Sequence, residues 1–371
     1  MSARTRLRSA ATIALTTVIA TSAVALLSAC DPTPTSKAGA GVPVNSAPAT
    51  TGSTPSAPAA TTPAPGGSAS ESASPSAAGT PTKAAPSATS PHEPTAPGTP
   101  SDLNGTESNG LTISNGTRYV LMNGASVDFG TIVRDLTWSP DGAKAAFIDG
   151  SGNLVASNPD GSGRVVVARN PGGQTWSHPT WQVAPAYGSN IPAKNNLIFA
   201  ADKDGVSRLE RVPATVVGGT PTTLGLEPPF DQEDKPLPQT GNVWPNANGG
   251  HGTALYANTG NGEVYIRDDY LRQQGGVMTE GSEPALSTDG EDVVFVRSVH
   301  GHDHLFEMRL GDRTAKDLTP NATTDYTEPA FSKDGRTIAA RTPKGIVTVP
   351  ANGSAAPKLI STHTGLPSFR R

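Results

Sequence analysis

A short strand that ends in a large apolar residue recurs along this chain, and each copy leads into a turn. Three copies are closely alike and span residues 136–142, 283–290 and 328–335. The large apolar residues, called anchor residues below, are Trp138, Trp181, Trp244, Leu286, Phe331 and finally Phe369. Consecutive anchors are 43, 63, 42, 45 and 38 residues apart. A period of about 40 to 45 residues with strand-type units is typical of a β-propeller.

Each repeat is predicted to contain four strands. The innermost strand carries the anchor, and a short apolar second strand follows, such as Ala145–Ile148. The third strand alternates in polarity, as in Glu263–Arg267, and the fourth is an outer edge strand. Residues 182–195 replace the expected tight turn after Trp181. A Pro- and acid-rich loop at 226–238 explains the 63-residue spacing, and it is either a functional loop or a neutral insertion.

The two ends of the repeat region determine the number of blades. Residues 111–113, 117–122 and 126–129 resemble the second, third and fourth strands of a repeat, but no anchor strand precedes them. Residues 366–369 match the missing innermost strand. We therefore predict an all-β, six-bladed propeller over residues 104–371, closed by pairing of its N- and C-terminal strands. The alternative is a five-bladed ring with a frayed C-terminal tail.

The N-terminus resembles a bacterial lipoprotein signal peptide. Arg4, Arg6 and Arg8 precede an uncharged apolar stretch that ends in Leu-Ser-Ala before Cys30, the single cysteine of the chain. The resemblance implies cleavage after residue 29 and acylation of Cys30. It places the mature protein, lipid-anchored and extracytoplasmic, on the outer face of the cell membrane. An ordinary secretory signal and a retained membrane helix are the alternatives.

Residues 30–103 are predicted to form a disordered tether after the lipidated cysteine. They consist almost entirely of Ala, Pro, Ser, Thr and Gly, with no apolar periodicity. Such a segment cannot bury enough apolar surface to offset chain entropy. The tether is interpreted as a spacer that lifts the globular domain off the membrane, and its composition also permits O-glycosylation.

The repeat pattern Glu-Pro-Ala-(Phe or Leu)-Ser-x-Asp-Gly, followed by an apolar strand, resembles that of TolB-type, WD-repeat-like propellers. The resemblance covers about residues 111–371. It implies a six-bladed ring that binds partners at the mouth of its central channel. TolB itself bridges envelope proteins. This chain differs from TolB because a tether replaces the α/β domain that precedes the TolB propeller.

Charge and motifs exclude several classes of function. Without residues 1–29 the chain has 25 basic and 32 acidic residues, a net charge of −7, which argues against a nucleic-acid surface. The sequence contains neither a Gly-x-Ser-x-Gly elbow nor a Gly-rich phosphate loop that opens a helix. We therefore predict no catalytic residues and no required cofactor, and we expect the protein not to be an enzyme.

A candidate binding site is predicted at the channel mouth. The residues near the entrances of the innermost strands are expected to face it, and they are Asp135, His178, Glu283, Asp325 and Glu328. A ring of acids there could hold a cation or a basic peptide. The alternative is that Glu-Pro at this position only shapes the strand entry. Trp176 and Tyr326 are expected beside the mouth, either to stack on a ligand or to pack between blades.

A second candidate site is the segment 300–304, which contains three histidines. If the segment is extended, His300, His302 and His304 point to one side, where they could share a divalent cation such as zinc. The alternative is a polar loop between two strands. The main functional hypothesis is a non-enzymatic binding or scaffold module for an envelope protein, peptide or wall component. The alternatives are an envelope enzyme or metal-binding protein that uses this segment, and a purely structural spacer protein.

Overall fold

The computed structural model describes residues 102–189, 191–228, 235–247, 252–268 and 274–370. The predicted signal peptide, Cys30 and the tether up to residue 101 lie outside the described residues, as do residues 229–234 of the acid-rich loop. Helices are absent from the described residues, and so no helix there could cross a bilayer.

The described residues form twenty-four strands in six four-stranded antiparallel sheets, each of which is one blade. The first three strands are β1 (Leu111–Ser114), β2 (Tyr119–Met122) and β3 (Ala125–Asp128). Blade 2 contains β4 (Arg134–Trp138), β5 (Ala145–Ile148), β6 (Leu154–Ser157) and β7 (Val165–Ala168). Blade 3 contains β8 (Thr175–Ala184), β9 (Lys194–Lys203), β10 (Val206–Pro213) and β11 (Thr222–Thr223).

The second half of the ring repeats this order. Blade 4 contains β12 (Asn242–Asn246), β13 (Ala254–Asn258), β14 (Glu263–Asp268) and β15 (Gln274–Glu280). Blade 5 contains β16 (Ser282–Leu286), β17 (Asp292–Val299), β18 (His302–Arg309) and β19 (Ala315–Asp317). Blade 6 contains β20 (Thr327–Phe331), β21 (Thr337–Thr342), β22 (Gly345–Pro350) and β23 (Lys358–Ser361). The last strand, β24 (Leu366–Phe369), joins β1 to complete blade 1.

The predicted six-bladed ring and its closure are confirmed. Strand β24 pairs antiparallel with β1, with Leu111 opposite Phe369 and Ser114 opposite Leu366. The hydroxyl of Thr112 donates a hydrogen bond of 2.8 Å to the carbonyl of Ser368. The pairing removes the open sheet edge that β1 would otherwise present.

The core consists of six apolar clusters, one at each interface between neighbouring blades. The second strand of a blade contributes to two of them, because successive side chains point to opposite faces. In β17, Val293 and Phe295 pack towards blade 4, whereas Val294 and Val296 pack towards blade 6. Burial on both faces is why these strands are continuous apolar runs rather than alternating ones.

The Ser-x-Asp-Gly motif closes the turn after the innermost strand in three blades. The Asp carboxylate accepts a hydrogen bond from the Ser hydroxyl at 2.5–2.6 Å in each pair, which are Ser139–Asp141, Ser287–Asp289 and Ser332–Asp334. The same hydroxyl accepts a backbone N–H five residues later. The motif therefore fixes the hairpin by itself, which explains its recurrence.

The two irregular segments fit the ring in different ways. The insertion after Trp181 lengthens a hairpin, so that β8 and β9 each have ten residues. The acid-rich loop is fixed at both ends, because Leu226 and Leu237 are buried in the cluster between blades 3 and 4. The amide of Gln239 also donates to the carbonyl of Leu226 at 2.8 Å.

The anchor assigned to blade 4 is wrong by three residues. Ala247, which is 1% exposed, occupies the anchor position there. Trp244 instead has a left-handed φ of 50°, the value that His178 has three residues before the Trp181 anchor. Both residues precede a proline. The size of the tryptophan side chain suggested an anchor, but its backbone position places it at the channel.

Removing residues 366–371 should destabilise the whole ring rather than one blade. The truncation leaves β1 without its partner and removes Phe369 from the cluster between blades 6 and 1. We expect a loss of at least about 3 kcal/mol in the free energy of unfolding, with aggregation through the open edge. Thermal unfolding and size-exclusion chromatography measure both effects. A six-residue deletion at 95–100 is the control, and an equal melting temperature for the two deletions would contradict closure by β24.

Candidate functional site

Five of the six innermost strands carry the same backbone irregularity at the end where they enter the ring. A non-glycine residue there has a left-handed φ of 50° to 55°, at Asp135, His178, Trp244, Glu283 and Glu328. The pairing with the second strand shifts register at this point in each of the five blades. Such a residue is a β-bulge, which bends the strand and redirects one side chain.

The five bulge residues all line one end of the central channel, where the space has a volume of about 100 Å³. Blade 1 is the exception, because β24 pairs with β1 without a register shift and offers Leu366 instead. A wider opening of about 470 Å³ lies next to the channel and is bordered by His178, Glu328, Arg134 and Arg341. The channel mouth is therefore a polar ring with one aromatic side chain.

Neighbouring bulges are tied together by hydrogen bonds from backbone to side chain. The N–H of His178 donates to the carboxylate of Asp135 in the preceding blade at 3.2 Å. The N–H of Glu328 donates in the same way to Glu283 of its preceding blade. Each carboxylate thus satisfies a backbone group that the bulge has removed from the sheet ladder, and this holds the strained backbone in place.

An ion pair crosses the channel. The Nε2 of His178 in blade 3 lies 3.2 Å from Oε1 of Glu328 in blade 6, the opposite blade of the ring. Nη2 of Arg341 lies 3.8 Å from the same carboxylate oxygen. The ring of Trp244 packs edge-on to the imidazole at a centroid distance of 6.3 Å. The other imidazole nitrogen, Nδ1, is buried and has no hydrogen-bond partner within the described part of the chain.

The protonation states follow from burial and from these contacts. Burial acts to lower the pKa of His178, but the hydrogen bond and charge of Glu328, helped by Asp135 and Glu283, outweigh it and raise this pKa to about 9. Burial and the charge of Glu328 raise the pKa of Glu283 to about 7. Burial also acts to raise the pKa of Glu328, yet the hydrogen bond and charge of His178 leave it lowered. At neutral pH the channel therefore holds an imidazolium facing an ionised Glu328.

Four of the five residues predicted at the mouth are brought together there, namely Asp135, His178, Glu283 and Glu328. Asp325 lies elsewhere on the surface, where its carboxylate accepts the N–H of Asp303 at 3.1 Å. It does not join the ring because the bulge that turns a side chain inward falls at Glu328, three residues later. Tyr326 packs between blades 5 and 6.

Trp176 packs between blades 2 and 3, which is one of its two predicted roles. It is 1% exposed and packs against Phe199 with ring centroids 4.7 Å apart. Trp244 was missed as a channel residue. The signal that could have found it is the shared dipeptide pattern, since Trp244-Pro245 occupies the place of His178-Pro179 and Glu283-Pro284.

The histidine segment is split between a turn and a strand. His300, with a φ of 52°, forms the turn after β17, while His302 and His304 belong to β18. Each of the two contacts a different carboxylate: Nδ1 of His302 lies 3.2 Å from Asp325, and Nδ1 of buried His304 lies 2.9 Å from Asp317. Among the described residues, no group of three or more His, Cys, Asp or Glu side chains is placed to hold a metal ion. Metal binding by this segment stays a prediction.

No family model and no curated protein matches this chain. Solved structures do match. TolB from Acinetobacter baumannii is 14% identical with a TM-score of 0.50, and the match covers 72% of this chain and 68% of that one. A putative TolB from Agrobacterium tumefaciens is 18% identical over 69% of this chain and 89% of that one, with a TM-score of 0.48. An oligogalacturonate lyase in complex with manganese is 11% identical over 68% and 78%, with a TM-score of 0.45. The first of these likenesses shows the fold, a TolB-like propeller.

His178 should titrate well above an ordinary histidine. NMR titration of its ring should give a pKa of about 9, and Glu328→Gln should lower that pKa because the paired charge is lost. The folded-state pKa lies above the ordinary value of 6.5, so the stability gained from the pair is full below about pH 6.5 and is lost as pH rises through about 9. The same titration after His302→Gln is the control. A His178 pKa that Glu328→Gln leaves unchanged would contradict the cross-channel pair.

Proposed function

We propose that this chain is a lipid-anchored, extracytoplasmic binding protein. In this proposal the propeller holds an envelope protein, a peptide or a wall component at its channel mouth and catalyses no reaction. The proposal combines the TolB-like fold with a sequence N-terminus that resembles a lipoprotein signal. A flexible tether between Cys30 and the ring would allow the channel mouth to reach partners at a range of distances from the membrane.

The observation that carries the proposal is the repeated bulge. A non-glycine residue in the left-handed region costs on the order of 1–3 kcal/mol, and such strain clusters at functional sites. Five blades accept that cost at the same position, and each uses it to place a side chain in the channel. The bulges therefore support a binding site at this end of the channel.

The chemistry of the mouth favours a positively charged ligand group. Asp135, Glu283 and Glu328 supply three carboxyl groups, and the ring of Trp244 is a surface on which a cation could rest. A basic segment of a protein or peptide fits this set best. Inorganic cations are a second possible occupant, and the proposal requires no cofactor.

Glu283→Gln combined with Glu328→Gln should abolish capture of the partner. The test is crosslinking in intact cells followed by purification of the full-length protein under denaturing conditions. Because Glu328 loses its charge and Glu283, with a pKa of about 7, loses its partial charge, we expect recovery of the partner to fall by about tenfold or more. The matched control is Glu291→Gln combined with Asp325→Asn, which removes two exposed charges outside the channel. Equal recovery from both double variants would refute binding at the mouth and direct attention to the 226–238 loop.

Replacing the cysteine should release the protein from the membrane. In Cys30→Ser the proposed acylation site is lost, so the protein should move from the membrane fraction to the soluble extracytoplasmic fraction or the medium. Fractionation and mass spectrometry of the N-terminal peptide measure the change. Ser28→Thr is the control, because it leaves the cysteine in place. A Cys30→Ser protein that has lost residues 1–29 and still stays in the membrane fraction would show that acyl chains do not anchor it.

A further inference from the structure

We infer that His178 is an internal occupant of the channel, and that its imidazolium holds the place that a cationic group of the bound partner takes. Binding then proceeds by displacement, in which the partner's cation replaces His178 at Glu328. This inference rests on the proposed function, because it specifies how the same mouth is opened. His178 then has an autoinhibitory role, because it occupies the carboxylate that the partner needs.

The occupied carboxylate of Glu328 is the first argument. Glu328 lines both the narrow part of the channel, of about 100 Å³, and the wider opening of about 470 Å³. A ligand cation can therefore approach Glu328 from the wider opening. Oε1 of Glu328 already lies 3.2 Å from Nε2 of His178, so such a cation competes with the imidazolium for this oxygen.

The backbone around the pair is fixed while the imidazole is held on one side only. The N–H of His178 is bound by Asp135, and the N–H of Glu328 is bound by Glu283. These ties do not involve the imidazole, so the ring can rotate away without opening a strand. Leaving Glu328 breaks one hydrogen bond at Nε2, because Nδ1 makes none within the described residues.

A place exists for the displaced side chain. His178 borders both the narrow channel and the wider opening, so rotation of its side chain moves the ring from one space into the other. Asp135, in the neighbouring blade 2, also lines both spaces. The imidazolium therefore keeps a carboxylate within its surroundings after it leaves Glu328, which limits the free-energy cost of the exchange.

The side chains that face His178 come from four blades, and three of them are acidic. Asp135 lies in blade 2, Glu283 in blade 5 and Glu328 in blade 6, while the uncharged Trp244 lies in blade 4. Arg341 contacts Glu328, and Arg134 borders the outer opening. The imidazolium is the cation that reaches Glu328 most closely, at 3.2 Å against 3.8 Å for Arg341. An incoming guanidinium or ammonium thus competes first with His178.

Removing the charge of His178 should strengthen binding of a cation. The probe is N-acetyl-arginine amide, which carries one guanidinium and no other charge, titrated into the full chain at pH 8. Binding is followed by NMR through the indole N–H signal of Trp244. We expect His178→Gln to lower the dissociation constant of the probe by about tenfold. The reason is that the unbound protein loses the charge-assisted hydrogen bond between His178 and Glu328, with which the probe competes. Glu328→Gln should abolish the response.

The matched control is His302→Gln, which breaks a histidine–carboxylate pair of the same 3.2 Å length outside the channel and should leave the dissociation constant unchanged. The pH dependence of probe binding to the wild-type protein is a second test, which does not depend on correct folding of the variant. Between pH 8 and pH 10 the guanidinium stays charged while His178, with a pKa of about 9, loses its proton. Affinity should therefore rise over this range in the wild type and stay flat in His178→Gln.

Binding of the probe that is equal or weaker in His178→Gln, or that does not rise with pH in the wild type, would overturn the inference. Failure of the probe to bind any form of the protein would overturn it as well. The outcome is separable from that of the proposed function. Loss of the crosslinked partner with Glu283→Gln and Glu328→Gln would support the binding module. If His178→Gln leaves recovery of that partner unchanged, the displacement mechanism is wrong even though the binding module is supported.

Discussion

The structure depends on burial of the second strand of each blade on both of its faces. In β5, β13, β17 and β21, neighbouring side chains along one strand enter different apolar clusters. A single blade cannot bury both faces of its second strand, because burial requires a neighbouring blade on either side. The requirement closes the sheets into a ring and holds the innermost strands side by side around the channel. The position of every channel residue follows from that packing.

Much of this architecture could be predicted from the sequence, because the relevant signals are local. The Ser-x-Asp-Gly turn forms through contacts within six residues, and apolar runs identify strands that are buried on both faces. The closure by β24 was predictable because Leu366–Phe369 repeats the pattern of a complete innermost strand. The bounds of the predicted strands in blade 1 agree with the structure within about two residues.

The candidate site was predictable only in part, because backbone conformation decides which side chains enter the channel. Asp135, His178, Glu283 and Glu328 lie there as predicted, whereas Asp325, which also lies near a strand entrance in the sequence, does not. Trp244 was missed because its size matched the anchor pattern. The partnership of His178 with Glu328 joins residues 150 positions apart in opposite blades. Neither local sequence indicates this contact, because it forms only when the ring places the two blades on opposite sides of the channel.

The pairing of β24 with β1 also has a consequence for the order in which the molecule can assemble. The two strands are separated by nearly the whole propeller, so the contact that closes the ring has the longest loop of any strand pair. Because the chain becomes available for folding from its N-terminus, one edge of β1 stays unpaired until residues 366–369 are also available. Contacts of such high sequence separation form late and slowly. The seam is therefore the step at which folding of the chain is most exposed to wrong pairing between molecules.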